Sequence, residues 1–269
     1  MKRVFDVEDR QEVLDFITSA TKECDKIVAL CLVGSGANGF NDEKSDLDFV
    51  IALDSDASML EVMDYMKNRM SEKYETLYFS QSEAAHLQCY VLSNMLEIDI
   101  GFGCYEYAAA RKASFKVLFD TSGVVEAKMI KSREWMDDKI YGDKKEKDIK
   151  TACNSVWARM MHAAVAIDRK CYFRAIGEME QIRNIYIDLL GDRYCLESNR
   201  NHDIDKLPDE EKEALRSTFV TGEDSESLWQ SLINLTNLVY KELDGCKVPV
   251  PKKMMFEYFE SLNTYTRSM

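Results

Sequence analysis

Two apolar runs joined by a glycine-rich loop constrain this chain more than any other feature. Ile27-Val28-Ala29-Leu30-Cys31-Leu32-Val33 is continuous, short and rich in branched side chains. Such a run predicts a strand buried in a sheet. Gly34-Ser35-Gly36-Ala37-Asn38-Gly39 follows as a turn. Asp46-Leu47-Asp48-Phe49-Val50-Ile51-Ala52-Leu53 then predicts a second buried strand, opening with acids and apolar residues in alternation.

The rest of the first half fits around this pair. Residues 6–24 predict an amphipathic helix through Val13, Leu14, Phe16 and Ile17, and residues 56–72 another through Met59, Leu60, Val62, Met63 and Met66. Residues 75–79, 87–92 and 95–102 read as strands. Val117-Leu118-Phe119-Asp120 is a last short one, ending in the turn Thr121-Ser122-Gly123. Residues 131–150 are dense in charge and read as a linking or surface helical stretch. Beyond them the pattern is helical: 151–167, 172–190 and 227–243, the last with Ser225 as a candidate N-cap. The expected fold is α+β. A mixed β-sheet flanked by helices occupies residues 1–140, and an all-α helical bundle occupies 141–269.

Composition narrows the function classes. The net charge of -13 repels phosphate backbones and argues against nucleic acid as a partner. It suits a cationic small molecule, although solubility alone explains such a charge. None of the eight cysteines has CxxC spacing or a histidine beside it in a zinc pattern. Several lie in apolar runs, as buried free thiols of a reducing compartment do. The N-terminus lacks the apolar core of a signal peptide, and no apolar run approaches the roughly 20 residues of a membrane span. A cytoplasmic protein with no membrane partner is expected. The histidines, His86, His162 and His202, form no metal or nucleophile pattern; His162, beside Met161 and Ala163, reads as a core or interface residue.

The loop from Gly34 to Asp48 carries the chemistry. Glycine lets the backbone approach a phosphate closely, and free N–H groups and the Ser35 hydroxyl point at negative charge. Asp46 and Asp48, spaced i and i+2 at a strand opening, emerge on one face, with Leu47 turned into the core. Two carboxylates on one face repel unless a cation neutralises them. Mg²⁺ prefers hard oxygen ligands shared between carboxylates and substrate phosphates. Asp99, in Glu97-Ile98-Asp99-Ile100, adds a third carboxylate if its strand neighbours that of Asp48. Three such acids suit metal-assisted phosphoryl transfer. Each element alone also has a plainer reading: a turn, a solvated strand end, the open face of an edge strand.

Gly34-Ser35, a spacer of ten residues, Asp46-Leu47-Asp48-Phe49 and the distant Asp99 resemble the DNA polymerase beta-type nucleotidyltransferase superfamily. The resemblance covers about residues 1–125. It implies a nucleotidyltransferase domain with Asp46, Asp48 and Asp99 as catalytic and metal-binding residues, Mg²⁺ as cofactor and ATP as donor. Gly34 and Ser35 would bind the nucleotide, with Lys44 in the loop and Arg183 from the helices as further phosphate candidates. A solvated lysine and a surface ion pair are the plainer readings of those two.

The second half resembles the helical domain of bacterial aminoglycoside, streptomycin and lincosamide adenylyltransferases, in which a helix reads Arg-Gly-Asp/Glu, then Ala, then apolar steps to an Arg. Arg169, Ala175 and Arg183 match, whereas Lys170 and Cys171 stand where the Gly and the acid are expected. Trp157, Tyr172 and Tyr186 are candidates for an acceptor pocket or, more plainly, for core packing. The resemblance implies AMP transfer from ATP to a hydroxyl of a small, cationic acceptor such as an antibiotic, by a chain that is a monomer or a homodimer. Two rivals remain: an antitoxin-like enzyme that modifies a protein partner, and a non-catalytic nucleotide-binding module.

Overall fold

The structure, a computed structural model, describes residues 4–40, 42–110, 114–222 and 224–262, with 134–143 described in backbone only. It divides into two compact units, residues 1–137 and 138–269.

In the first unit six strands form one mixed sheet in the order β3-β4-β5-β2-β1-β6. They are β1 (Ile27–Val33), β2 (Leu47–Leu53), β3 (Thr76–Ser82), β4 (Leu87–Leu92), β5 (Glu97–Cys104) and β6 (Phe115–Asp120). Only β2 and β5 run parallel; the other neighbours are antiparallel. A parallel pair needs a long crossover, and residues 54–96 supply one containing the β3–β4 hairpin and α2 (Met59–Lys73).

The two faces of this sheet have different tasks. Leu30, Leu32, Leu47, Phe49, Ile51, Ile98 and Ile100 point to one side and are sealed by α1 (Val7–Lys22) and α2. Met63, Met66 and Met70 on α2 are fully buried there, each worth about 1.5–3 kcal/mol of burial. Alternation sends the intervening residues, Asp48, Val50, Ala52, Asp99, Gly101 and Gly103, to the other face. A small cluster of Ala29, Cys31, Ala52, Ala110, Val125 and Met129 covers part of it.

Asp6 caps α1, accepting from the backbone of Glu8 and Asp9 while Asp9 answers to the Asp6 N–H. Asp120 does the same for α3 (Val125–Asp168), accepting from the N–H groups of Gly123, Val125 and Glu126. The charge-dense residues 131–150, expected as a linking or surface helical stretch, lie inside one 44-residue helix.

The second unit contains the end of α3, α4 (Tyr172–Tyr194), α5 (Asp209–Arg216), α6 (Ser225–Glu242) and α7 (Lys252–Leu262). Its core centres on Met160, Ile182, Tyr186, Leu232, Trp229 and Phe259. The α6 cap is Asp224, not Ser225: its carboxylate accepts from the Ser227 N–H at 2.8 Å. Helices α5 and α7 escaped the periodicity reading because both are short. His162 is exposed and faces Glu178, so it is no core residue. Not all thiols are buried either; Cys171 and Cys195 are exposed. Tyr186 lies in the core, while Trp157 and Tyr172 pack against its edge. Among the described residues no helix is long and apolar enough to cross a membrane.

Candidate active site

Strand register builds the site. β1 places Val33 opposite Asp48, β2 places Asp48 opposite Asp99, and β4 places Cys89 opposite Asp99. Partners in register share a face on strands about 4.8 Å apart. One row therefore runs Cys89, Asp99, Asp48, Val33 across four strands, and the chain turns at Gly34 directly from its end.

Gly34 is required there twice over. Its φ is +63°, and a Cβ would stand 2.2 Å from Asp48 Oδ2. Only a glycine backbone gives the carboxylate this room. Residues Gly34–Asn38 then form a short 3-10 turn ending at Gly39, whose φ is +91°. Inside that turn the Ser35 hydroxyl is buried and hydrogen-bonds to nothing in the chain; Asp99 Oδ1 is in the same condition. Buried polar atoms without partners are uncommon and costly. Here two of them border one carboxylate row, and a phosphate oxygen and a cation would satisfy one each.

Asp46 sits in the loop immediately before β2 rather than on the strand, and it is exposed. Among the described residues no three His, Cys, Asp or Glu side chains close into a metal cluster. The arrangement is a pair, Asp48 and Asp99, with Asp46 outside it. Such an open set suits Mg²⁺, which keeps waters and takes other ligands from substrate phosphates. It does not suit a cation held by protein alone. Burial and its hydrogen bond to Asp99 push the pKa of the Cys89 thiol up to about 11.

Two predicted nucleotide contacts have other work in this structure. The Lys44 ammonium donates to the Phe5 carbonyl and stands 4.9 Å over the Phe5 ring. Arg183 is buried in the second unit, where Nε donates to Thr218 Oγ1 at 2.9 Å and Nη2 to the Thr218 carbonyl at 2.6 Å. Its remaining nitrogen meets Glu180, and its plane lies over Phe219. The guanidinium is spent on its own unit.

Arg10 is the residue that sequence reasoning passed over. It is buried on α1, and Nη1 donates to the carbonyls of Asp42 and Ser45 at 3.0 and 3.1 Å. Its guanidinium lies 3.8 Å from the centre of the Phe40 ring. Arg10 thus ties the loop between Gly39 and Asp46 to the helix. The signal was present: Arg10, Val13 and Ile17 share the buried stripe of α1. A charge in such a stripe calls for a partner.

Residues 14–117 match the family model described as "Nucleotidyltransferase domain". That segment begins within α1, ends within β6 and contains the whole carboxylate row. The chain carries a nucleotidyltransferase domain and is an enzyme of that class. No curated protein matches it. Among solved structures, an aminoglycoside 6-adenyltransferase from Bacillus subtilis aligns over 96% of this chain and 97% of its own, at 14% identity and a TM-score of 0.41. A cytoplasmic RNA terminal U-transferase aligns over 38% of this chain and 30% of its own, at 20% identity and a TM-score of 0.28.

Proposed function

We propose that the nucleotidyltransferase domain of this chain transfers AMP from MgATP to a hydroxyl group of a small molecule, with aminoglycoside and lincosamide antibiotics as the first acceptors to test. The observation that carries the reading is the registered pair Asp48–Asp99 next to the unpartnered Ser35 hydroxyl, with Gly34 leaving room for both.

Ser35 Oγ and the backbone of the 34–38 turn hold the outer phosphates. Asp48 and Asp99, with Asp46 from the loop, would hold Mg²⁺. When bound, the cation offsets the charge that develops on the leaving pyrophosphate. Asp99 also orients the acceptor hydroxyl and takes its proton. Arg10 keeps the loop bearing Asp46 in place. The second unit and the acidic balance of the chain favour a small acceptor over nucleic acid, since a net charge of -13 opposes a phosphate backbone.

The test uses ATP labelled at the α-phosphate, Mg²⁺ and a panel of aminoglycosides and lincosamides. Labelled product and pyrophosphate are expected, and both are lost in Asp46→Ala and Asp48→Ala. Pyrophosphate release that persists in both variants removes these acids from the site. Label on a co-expressed protein with no antibiotic product favours the protein-modifying alternative. ATP binding without turnover favours a regulatory module.

A further inference from the structure

The polar row continues past Asp99, away from the glycine turn. β4 places Cys89 opposite Asp99, and β3 places Ser80 opposite Cys89. Partners in register share a face. Ser80, Cys89, Asp99 and Asp48 therefore stand on one face of four neighbouring strands. Their chain neighbours mark the other face: Phe79 and Tyr90 belong to the core there, and Gln88 reaches Gln81 and the Met63 carbonyl of α2.

Hydrogen bonds join this row. Cys89 bonds to Ser80 on one side and to the Asp99 carboxylate on the other. An ionised carboxylate only accepts, so the thiol donates to Asp99. The contact with Ser80 favours the thiolate, as a donating hydroxyl does, so Ser80 donates to the sulfur. With its sulfur engaged from β3, the S–H hydrogen is directed at Asp99.

Asp99 gains from a donor on that flank. Asp48 faces it from a strand about 4.8 Å away, and like charges directly opposite repel. Asp99 Oδ1 is buried and has no partner within the chain. A lysine at position 89 would hold the carboxylate by neutralising it, and would compete with a cation for it. A thiol is a neutral donor, so it orients Asp99 and leaves its charge for the cation.

We infer that Cys89, backed by Ser80, is a positioning residue whose thiol hydrogen holds the Asp99 carboxylate in the orientation in which Asp99 and Asp48 share one divalent cation; the inference rests on the nucleotidyltransferase reading above. Removing the hydrogen-bond partner of a metal-binding side chain costs about 10- to 100-fold in metal affinity. A thiol is a weak donor and belongs at the low end of that range.

Two measurements on the full chain test this. The first is the infrared S–H stretch of the metal-free protein, with Cys89 isolated from the other thiols as the difference between parent and Cys89→Ala. The band should stand at the lowered frequency of a donating thiol and rise in Asp99→Asn, whose amide oxygen is the weaker acceptor. A band that ignores Asp99→Asn overturns the inference. The second is calorimetric binding of α,β-methylene-ATP, which is not cleaved between its first two phosphorus atoms, with and without Mg²⁺. The gain in affinity that Mg²⁺ brings should fall about tenfold in Cys89→Ala and largely return in Cys89→Ser, which keeps a donor. Binding without Mg²⁺ should be alike in all three, which reports that each is folded. A gain that survives in Cys89→Ala, or falls equally in Cys89→Ser, overturns the inference, the latter because it makes Cys89 a packing residue. Should Mg²⁺ bring the parent no gain while the S–H band still answers to Asp99→Asn, the metal-dependent nucleotidyltransferase reading is what fails, so the two failures are distinct.

Discussion

Replacing Gly34 by alanine separates the fold from the site, because Gly39 in the same loop provides a matched control. Both glycines have positive φ, +63° and +91°. An alanine in that region costs about 1–2 kcal/mol at either position. The surroundings differ. A Cβ on Gly39 meets nothing within 4 Å, whereas a Cβ on Gly34 stands 2.2 Å from Asp48 Oδ2. Ordinary contact begins near 3.4 Å, so the carboxylate must retreat by about 1.2 Å, the difference between those two distances. Forcing Asp48 off its rotamer adds about 0.5–1.5 kcal/mol. Gly39→Ala should therefore lose about 1–2 kcal/mol in urea unfolding, and Gly34→Ala about 1.5–3.5 kcal/mol. Function should diverge much further. A misplacement near 1 Å costs on the order of 100-fold in rate. Gly34→Ala is expected to release pyrophosphate at about one-hundredth of the parent rate, with Gly39→Ala close to the parent. Equal rates in the two variants, measured at a temperature where both are folded, would refute the close approach of Gly34 to Asp48 as a condition of activity.

Four further outcomes follow from the same geometry. Asp99→Asn removes one of two adjacent carboxylates, so the metal-free variant should be more stable than the parent by about 0.2–1 kcal/mol; millimolar Mg²⁺ should raise the melting temperature of the parent and not of the variant. Arg10→Met should free the carbonyls of Asp42 and Ser45, at a cost of about 1–3 kcal/mol for the buried group left unpaired, and proteolysis between Gly39 and Asp46 should quicken. At Asp120, burial acts to raise the pKa, but hydrogen bonds from Ser122 and from the N–H groups of Glu126, Val125 and Gly123 outweigh it and hold the pKa below the ordinary carboxylate value. A depressed folded pKa gives stability above the unfolded value of about 3.9 that is lost as pH falls through the folded one, so the stability advantage of the parent over Asp120→Asn should shrink below about pH 4; an advantage that stays constant would contradict this. Cys171→Asp should stabilise the second unit by about 1 kcal/mol, read as a rise of about 2–4 °C in melting temperature.

How much was legible follows from the period of each element. β1 and β4 were read to the residue, because their apolar runs are bounded by turn residues and two-fold alternation tolerates no slip. The carboxylate pair was legible only as a condition. Sequence spacing puts Asp48 and Asp99 each on a strand, but the adjacency of β2 and β5 depends on a crossover that no local pattern encodes. The two further phosphate candidates, Lys44 from the loop and Arg183 from the matched helix, have hydrogen-bond partners within their own units, since a long cation pairs with whatever carbonyl or carboxylate packing brings near it. Arg10 shows the converse. Its charge was visible, but its partners are backbone carbonyls 32 and 35 positions away, and backbone acceptors leave no mark in a sequence.

The departure at Lys170 and Cys171 has a structural meaning that bears on the acceptor question. The segment joins α3 to α4. Lys170 has φ +58°, and the Cys171 N–H donates to the Ala166 carbonyl at 2.8 Å, the hydrogen bonding of a helix C-terminus closed by a left-handed residue. Glycine is the residue such a position favours. Cys171 is the N-cap of α4, and its side chain makes no cap hydrogen bond. An acid is among the residues an N-cap favours, because its oxygen accepts from the free N–H groups of the first turn and its charge opposes the helix dipole. The Gly and the acid of the antibiotic-modifying pattern therefore fall on the two positions where helix ends alone would select them. Their replacement here weakens a helix junction. It does not by itself remove a group from chemistry, and so it is no argument against any acceptor.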